Sequence, residues 1–139
     1  GQILDGKAQR YGANIYVRGN SNGTNVATVT LTGGVIRGVH AQSAATVTSV
    51  CFQKNSGILH VYVGGTAQVD EICCDTQGML QLAQSGITKE ASIGVSLTAG
   101  NGTLMSNAQS TVDLTQVFVA VEDDKKTAIH GTDLVIEDL

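Results

Sequence analysis

Short alternating apolar segments recur along this chain about every twenty-two residues, and this internal repeat constrains the fold more than any other feature of the sequence. One column of aliphatic residues consists of Val29, Val50, Ile72, Val95 and Val117. A second column lies two residues further on and consists of Leu31, Phe52, Cys74, Leu97 and Val119. Alternation with a period of two indicates a β-strand, and its recurrence at a longer period is typical of units that bury their faces against one another.

Each row also carries a second short strand and a third apolar position. The inward column of the second strand consists of Ile15, Ile36, Leu59, Leu80, Leu104 and Ile129, and Gly- or Asn-containing turns precede it. The third column consists of Val26, Val47, Val69, Ala91 and Val112. Because no helical period is visible, the sequence predicts an all-β fold without a notable α-helix. We expect a single-stranded parallel β-helix, a triangular β-solenoid of about five rungs.

A length of 139 residues fits one domain, residues 1–139. We expect residues 1–11 to form an irregular N-terminal rung, residues 12–121 the repeats and residues 122–139 a charged C-terminal capping rung. An irregular, charged last row would protect the open strand edge from end-to-end stacking. Self-association through other ends or faces of the solenoid is a separate alternative that the sequence leaves open.

Composition excludes several classes of partner. The chain has 8 Lys and Arg against 12 Asp and Glu, a net charge of −4, and no basic cluster beyond Lys125 and Lys126. A nucleic-acid-binding surface needs concentrated positive charge, so we expect no nucleic-acid partner. No apolar run is long enough for a membrane span, so we also expect no membrane insertion.

Two segments share a recognisable sequence pattern, in which a glycine is followed by a strand of alternating apolar residues and then by a turn rich in small residues. These segments are Gly57–Ala67 and Gly78–Gly86. The pattern resembles the repeats of AIDA-type autotransporter adhesin passengers, and the resemblance extends over residues 12–121. It implies a right-handed β-helix, secreted or displayed on a bacterial cell surface, that takes part in adhesion, aggregation or biofilm contacts.

The sequence offers two sets of candidate site residues. Arg37, His60 and Gln81 align on the outward face of the second strand, where they could form a polar strip for a glycan or an acidic group; a solvated face without a ligand is the alternative. Cys51 and Cys73 lie one repeat apart and are predicted to be stacked thiols on an outer face. Stacked strands lie about 4.8 Å apart, so the Cα atoms of the two cysteines could lie within disulfide range, and two free small thiols are the alternative reading. Cys74 is predicted to point into the core.

Chemistry beyond binding has little support in the sequence. Asp70 and Asp113 share a column two rungs apart, which is near the outer limit for an inverting pair of carboxylates, and no aromatic platform accompanies them. No three or four His, Cys, Asp or Glu residues converge as a metal site requires, so we expect no catalytic residues, metal or cofactor.

We therefore predict a non-enzymatic bacterial adhesin-like module that binds a glycan or another cell-surface component. A carbohydrate-active β-helix or a fragment like a phage tail spike, acting on polysaccharide, is the alternative. A passive rigid spacer is the second alternative.

Overall fold

Among the residues that the structure describes, thirteen β-strands and one single-turn helix account for most of the backbone. The structure is a computed structural model that describes residues 1–8, 10–19, 26–41 and 47–139. The strands are β1 (Gln2–Ala8), β2 (Tyr11–Arg18), β3 (Val26–Leu31), β4 (Val35–Ala41), β5 (Val47–Gln53), β6 (Ile58–Gly65), β7 (Gln68–Cys74), β8 (Leu80–Ile87), β9 (Ser92–Leu97), β10 (Gly102–Met105), β11 (Phe118–Ala120), β12 (Lys125–His130) and β13 (Asp133–Asp138). The helix α1 spans Leu114–Val117, and the Asp113 side chain caps its first turn.

The strands form three separate sheets. The first sheet has seven strands in the order β1-β4-β7-β5-β2, with β9 beside β7 and β11 beside β9, and all of its pairs are parallel. The second sheet is parallel in the order β3-β6-β8. The third sheet is antiparallel in the order β10-β13-β12. The fold therefore combines parallel and antiparallel pairing in separate sheets.

The prediction of a single-stranded parallel β-helix is wrong. In the part of the chain that the structure describes, the three sheets do not close into a solenoid, and their arrangement resembles a β-sandwich. A regular coil requires one constant spacing between paired residues. Here Tyr16 pairs with Cys51, 35 residues further on, whereas Val61 pairs with Leu80, 19 residues further on. The C-terminal strands also reverse direction, which a parallel coil does not allow.

The predicted columns are correct only in the middle of the first sheet. Val50 pairs with Ile72 and Ile72 pairs with Val95, as the column requires. Val29, in contrast, lies in the second sheet opposite Val61, and Val117 lies in α1. The alternation within a strand does not depend on which strand lies beside it, so it survives where the predicted stacking does not.

One hydrophobic core joins the inner faces of the three sheets. The first sheet contributes Phe52, Ile72 and Cys74, and the second contributes Val61 and Leu80, all of which are buried. Leu134 and Ile136 of the third sheet pack into the same cluster. Burial of this shared apolar surface holds the sheets together, since apolar area removed from water is the main favourable term in folding.

The charged C-terminal segment forms a hairpin. Strands β12 and β13 pair antiparallel, and Lys125 Nζ lies 2.6 Å from Asp138 Oδ1. His130 Nε2 contacts Glu137 Oε2 at 2.7 Å. The acidic residues of β13 are thus placed opposite basic residues of β12, as cross-strand pairing favours. Among the helices of the described residues, none is long and apolar enough to cross a membrane.

Candidate functional site

The three residues of the predicted polar strip do not lie in one column. Arg37 belongs to β4 of the first sheet and pairs with Leu4. His60 and Gln81 belong to the second sheet, where His60 pairs with Thr28 and Gln81 pairs with Tyr62. Because β4 joined the first sheet rather than the second, Arg37 is separated from the other two residues. The strip as predicted is wrong, although its part in the second sheet borders the groove described next.

An open groove of about 690 Å³ lies on the outward face of the second sheet. We call it the Tyr62 groove, and its lining residues are Thr30, Thr32, Tyr62, Ala83, Gln84 and Ser85. Thr30 is the register partner of Tyr62 across β3 and β6. The His60 ring stacks beside Tyr62 with the ring centres 6.3 Å apart, which supports the tyrosine ring from one side.

A bulge in β8 forms one wall of this groove. Val63 pairs with Leu82, and the next pair is Gly65 with Ile87, so four residues of β8 face one residue of β6. An irregularity of this kind bends a strand and re-aims its side chains. Gly64 permits it, because a Cβ at this position would lie 2.5 Å from the Gly86 carbonyl oxygen and 2.8 Å from Ala83 Cβ.

The lining of the Tyr62 groove combines apolar surface with hydroxyl and amide groups and contains no charged side chain. Hydroxyl groups of threonine and serine both donate and accept hydrogen bonds, and the glutamine amide does the same. The tyrosine adds a flat apolar face with a polar tip. Ligand sites commonly combine an aromatic or apolar surface with a few polar groups that set orientation. The groove therefore matches a ligand that carries hydroxyl groups and no charge.

A second cleft, of about 480 Å³, lies on the outer face of the first sheet. We call it the dithiol cleft, and it is lined by Tyr11, Thr48, Cys51, Gln53, Glu71, Cys73, Ser96, Leu97, Thr98 and Glu122. Cys51 and Cys73 are register partners on β5 and β7, as the sequence repeat predicts. Cys74 is buried in the core on the opposite face, also as predicted.

The two thiols of the dithiol cleft differ in exposure. Cys51 was predicted to be on an outer face, yet its side chain is only 6% exposed. β5 lies between β7 and β2, and Tyr16 of β2 is the register partner of Cys51. The Tyr16 ring stacks on the Tyr11 ring with the ring centres 4.9 Å apart. The sequence pattern does not show that β2, which carries these tyrosines, pairs with β5. Cys73 is only partly buried, so solvent and small molecules reach it more easily.

The thiols also differ in acidity. The hydrogen bond from Cys51 is the main cause that lowers the pKa of Cys73, to about 6, with the Thr98 hydroxyl acting in the same direction and burial opposing them. The same hydrogen bond is the main cause that raises the pKa of Cys51. The pair therefore releases its first proton from Cys73 and retains the second, because the thiolate that forms is stabilised by the remaining thiol.

Glu71 brings a carboxylate to the dithiol cleft. Ser96 Oγ donates a hydrogen bond of 2.6 Å to Glu71 Oε2. Burial nevertheless raises the pKa of Glu71, and the neighbouring Asp70 and Glu122 carboxylates add to the shift. Neither Glu71 nor Ser96 is a candidate from the sequence, since each is one polar residue in an alternating strand. Glu71 lies two residues before Cys73, and Ser96 lies opposite Cys73 on the neighbouring strand β9. These positions are the only signal that could have identified the two residues.

The two carboxylates considered for polysaccharide cleavage both accept hydrogen bonds from backbone N–H groups. Asp70 accepts hydrogen bonds from the backbone N–H of Gly38 and of Glu71, at 2.8 and 2.9 Å. Asp113 accepts the Thr115 backbone N–H at the start of α1. The predicted column is also wrong, because Val69, the residue before Asp70, aligns with Ile93 and Phe118. Among the described residues, no group of three or more His, Cys, Asp or Glu side chains is arranged to hold a metal ion.

Comparisons of the chain with protein-family models, with curated proteins and with solved structures find no significant match. The functional argument therefore depends on the two clefts and the residues that line them.

Proposed function

We propose that this protein is a non-enzymatic binding module that holds an uncharged, hydroxyl-rich ligand, a neutral glycan, in the Tyr62 groove. In this proposal it mediates contact with a glycan-bearing surface, as expected for a secreted or surface-displayed adhesin-like protein. The observation that carries the proposal is the aromatic ring of Tyr62 in a lining that otherwise consists of hydroxyl and amide side chains and one alanine.

The chemistry of the groove supports a sugar over other ligands. The apolar face of a pyranose ring packs on an aromatic ring, and its hydroxyl groups pair with hydroxyl and amide side chains. The residues that line the groove carry no charge that would pair with a phosphate or a carboxylate. A spacer function makes no use of such a groove, whereas a binding function does.

The enzymatic alternative has weaker support. Hydrolysis of a glycosidic bond generally requires two carboxyl groups on either side of the scissile bond. The lining of the Tyr62 groove contains none, and Asp70 and Asp113 are occupied by backbone hydrogen bonds. A neutral glycan would therefore be held without being cleaved.

A binding experiment with neutral oligosaccharides tests this proposal. We expect the parent protein to retain members of an array of neutral glycans, with an affinity that does not change between low and high salt, because no charges are involved. The Tyr62→Ala variant is expected to lose binding by at least about tenfold, as removal of a central aromatic contact does at many binding sites. Tyr62→Phe should retain most of the affinity because it keeps the ring.

Tyr16→Ala is the matched control for this experiment. Tyr16 is also a partly exposed tyrosine on a strand, but it lies on the first sheet, so its removal should leave glycan binding unchanged. Calorimetry on the selected oligosaccharide would give the dissociation constants. Equal binding by the parent and by a folded Tyr62→Ala variant, or binding restricted to charged glycans, would contradict the proposal.

A further inference from the structure

The dithiol cleft has no part in glycan binding, because it lies on the first sheet and the Tyr62 groove lies on the second. It places two cysteines on neighbouring strands in a cleft that is also lined by the carboxylates of Glu71 and Glu122. Neighbouring strands in a sheet lie about 4.8 Å apart, which falls within the range of Cα separations that a disulfide can bridge. Cys51 and Cys73 are such neighbours, with their side chains on the same face.

We propose that Cys51 and Cys73 form a dithiol site that small disulfides without negative charge oxidise to an intrachain disulfide. Cys73 is the attacking residue and Cys51 is the resolving residue. This assignment follows from access: Cys73 opens into the cleft, whereas Cys51 is covered by its neighbours.

The reaction is two successive thiol–disulfide exchanges. First, the Cys73 thiolate attacks one sulfur of the small disulfide, the S–S bond of that molecule breaks, and one half leaves as a thiolate that takes up a proton. Second, Cys51 loses its proton and attacks Sγ of Cys73, and the other half leaves as a thiol. In total the protein loses two hydrogen atoms and forms one S–S bond, while the small disulfide is reduced to two thiols.

The surroundings of Cys73 favour the first exchange. Its Sγ lies 3.9 Å from Thr98 Oγ1, so a thiolate at this position has a hydroxyl partner. Thiolate character and access together determine the reactivity of a cysteine. Cys74 meets neither condition, because it is buried in the core and burial raises its pKa.

The charge of the cleft selects the oxidant. Glu71 and Glu122 line it, and its lining contains no lysine or arginine. Negative charge at close range attracts cations and repels anions. We therefore expect cystamine, a dication, to react faster than the neutral bis(2-hydroxyethyl) disulfide, and anionic glutathione disulfide to react slowest. The rate ratio between the two charged reagents should be roughly tenfold or more at low salt, and it should shrink at about 1 M salt.

Mass spectrometry of the full chain tests the proposal. The reduced protein is incubated with each of the three disulfides, digested at Lys54, which lies between the two cysteines, and analysed for the peptide pair joined by Cys51 and Cys73. We expect the parent to lose two hydrogen atoms and to yield this joined pair. The Cys51→Ser variant should instead accumulate a stable mixed disulfide at Cys73, because the resolving thiol is missing.

Two further variants separate the site from general thiol reactivity. Cys74→Ala should form the Cys51–Cys73 bond as the parent does, and Glu122→Gln should reduce the preference for cystamine without preventing oxidation. Circular dichroism verifies that each variant is folded. A parent whose disulfide joins any other pair, or a folded Cys51→Ser variant without an adduct at Cys73, would overturn the dithiol site. A faster reaction with glutathione disulfide than with cystamine would overturn the charge selection.

Discussion

Among individual residues, Glu71 combines two opposing effects. Partial burial disfavours its carboxylate and raises its pKa, while the hydrogen bond from Ser96 favours the carboxylate and opposes the shift. The net effect is a higher pKa, so Glu71 holds its proton more tightly in the folded protein than in the unfolded chain. Folding stability therefore decreases as the pH rises through the folded pKa of Glu71, because the folded state must give up a proton that the unfolded state has already lost.

Glu71→Gln is predicted to stabilise the protein at neutral pH. The amide keeps an acceptor for the Ser96 hydroxyl and removes a partly desolvated charge. Urea unfolding at about pH 4 and at pH 7.5 should show a smaller loss of stability with rising pH in the variant than in the parent. Asp70→Asn is the control and should destabilise, because the Asp70 carboxylate accepts two backbone N–H groups. Equal pH dependence in Glu71→Gln and in the parent would contradict the assignment.

At the level of elements, the pairing of β6 with β8 determines the shape of the Tyr62 groove. The two strands begin in regular register and lose it after Val63, where the bulge of β8 turns its side chains toward the groove. Gly64 lies opposite the bulge and leaves space only for a hydrogen atom at the Cβ position. The element that carries the proposed binding surface thus depends on one glycine for a close approach of two backbones.

Gly64→Ala is predicted to destabilise the protein by about 1–3 kcal/mol, the usual cost of forcing extra volume into a packed site, and to weaken glycan binding by displacing the bulge. Gly33→Ala is the matched control. A Cβ added at Gly33 would have the Thr66 hydroxyl as its nearest neighbour, at 3.9 Å, which is an ordinary van der Waals contact. Denaturant unfolding and the glycan-binding measurement test both effects. A Gly64→Ala variant as stable as Gly33→Ala would show that the bulge is not held by this contact.

For the whole molecule, one core connects sheets that differ in strand direction. Ile72 is fully buried at the centre of the first sheet and belongs to the same cluster as Leu80 of the second and Leu134 of the third. A domain whose sheets share a core is expected to unfold in one cooperative transition, since no sheet can keep its buried face without the others.

Ile72→Ala is predicted to lower the free energy of unfolding by about 2–5 kcal/mol while the single transition is retained. Ile129→Ala is the control; Ile129 is 43% exposed on β12, although the sequence predicts it to be inward, and its replacement should change stability by less than about 0.5 kcal/mol. Far-UV circular dichroism and tyrosine fluorescence should give the same midpoint in each case. Two separate transitions, or equal effects at the two positions, would contradict a shared core.

The candidate sites could be predicted from the sequence only in part. The repeat spacing correctly predicts the pairing of Cys51 with Cys73 and the inward direction of Cys74. It does not predict that Cys51 is buried or that its strand pairs with the strand of Tyr16, 35 residues earlier. The Tyr62 groove was missed as well, although the polar run Gln84-Ser85-Gly86 interrupts the alternation of β8 and is a signal for a bulge.

The sequence by itself determined the local pattern in the middle of the chain: which segments there are strands and which of their side chains face the core. Such alternation follows from the pleat of a single strand, so it can be read without knowledge of the neighbours. The tertiary structure decided which strands pair. It placed β4 beside β1 and β7, β6 between β3 and β8, and the last two strands in an antiparallel hairpin. Pairing depends on which edges the connecting segments can reach and which faces bury best together, and no local period contains that information.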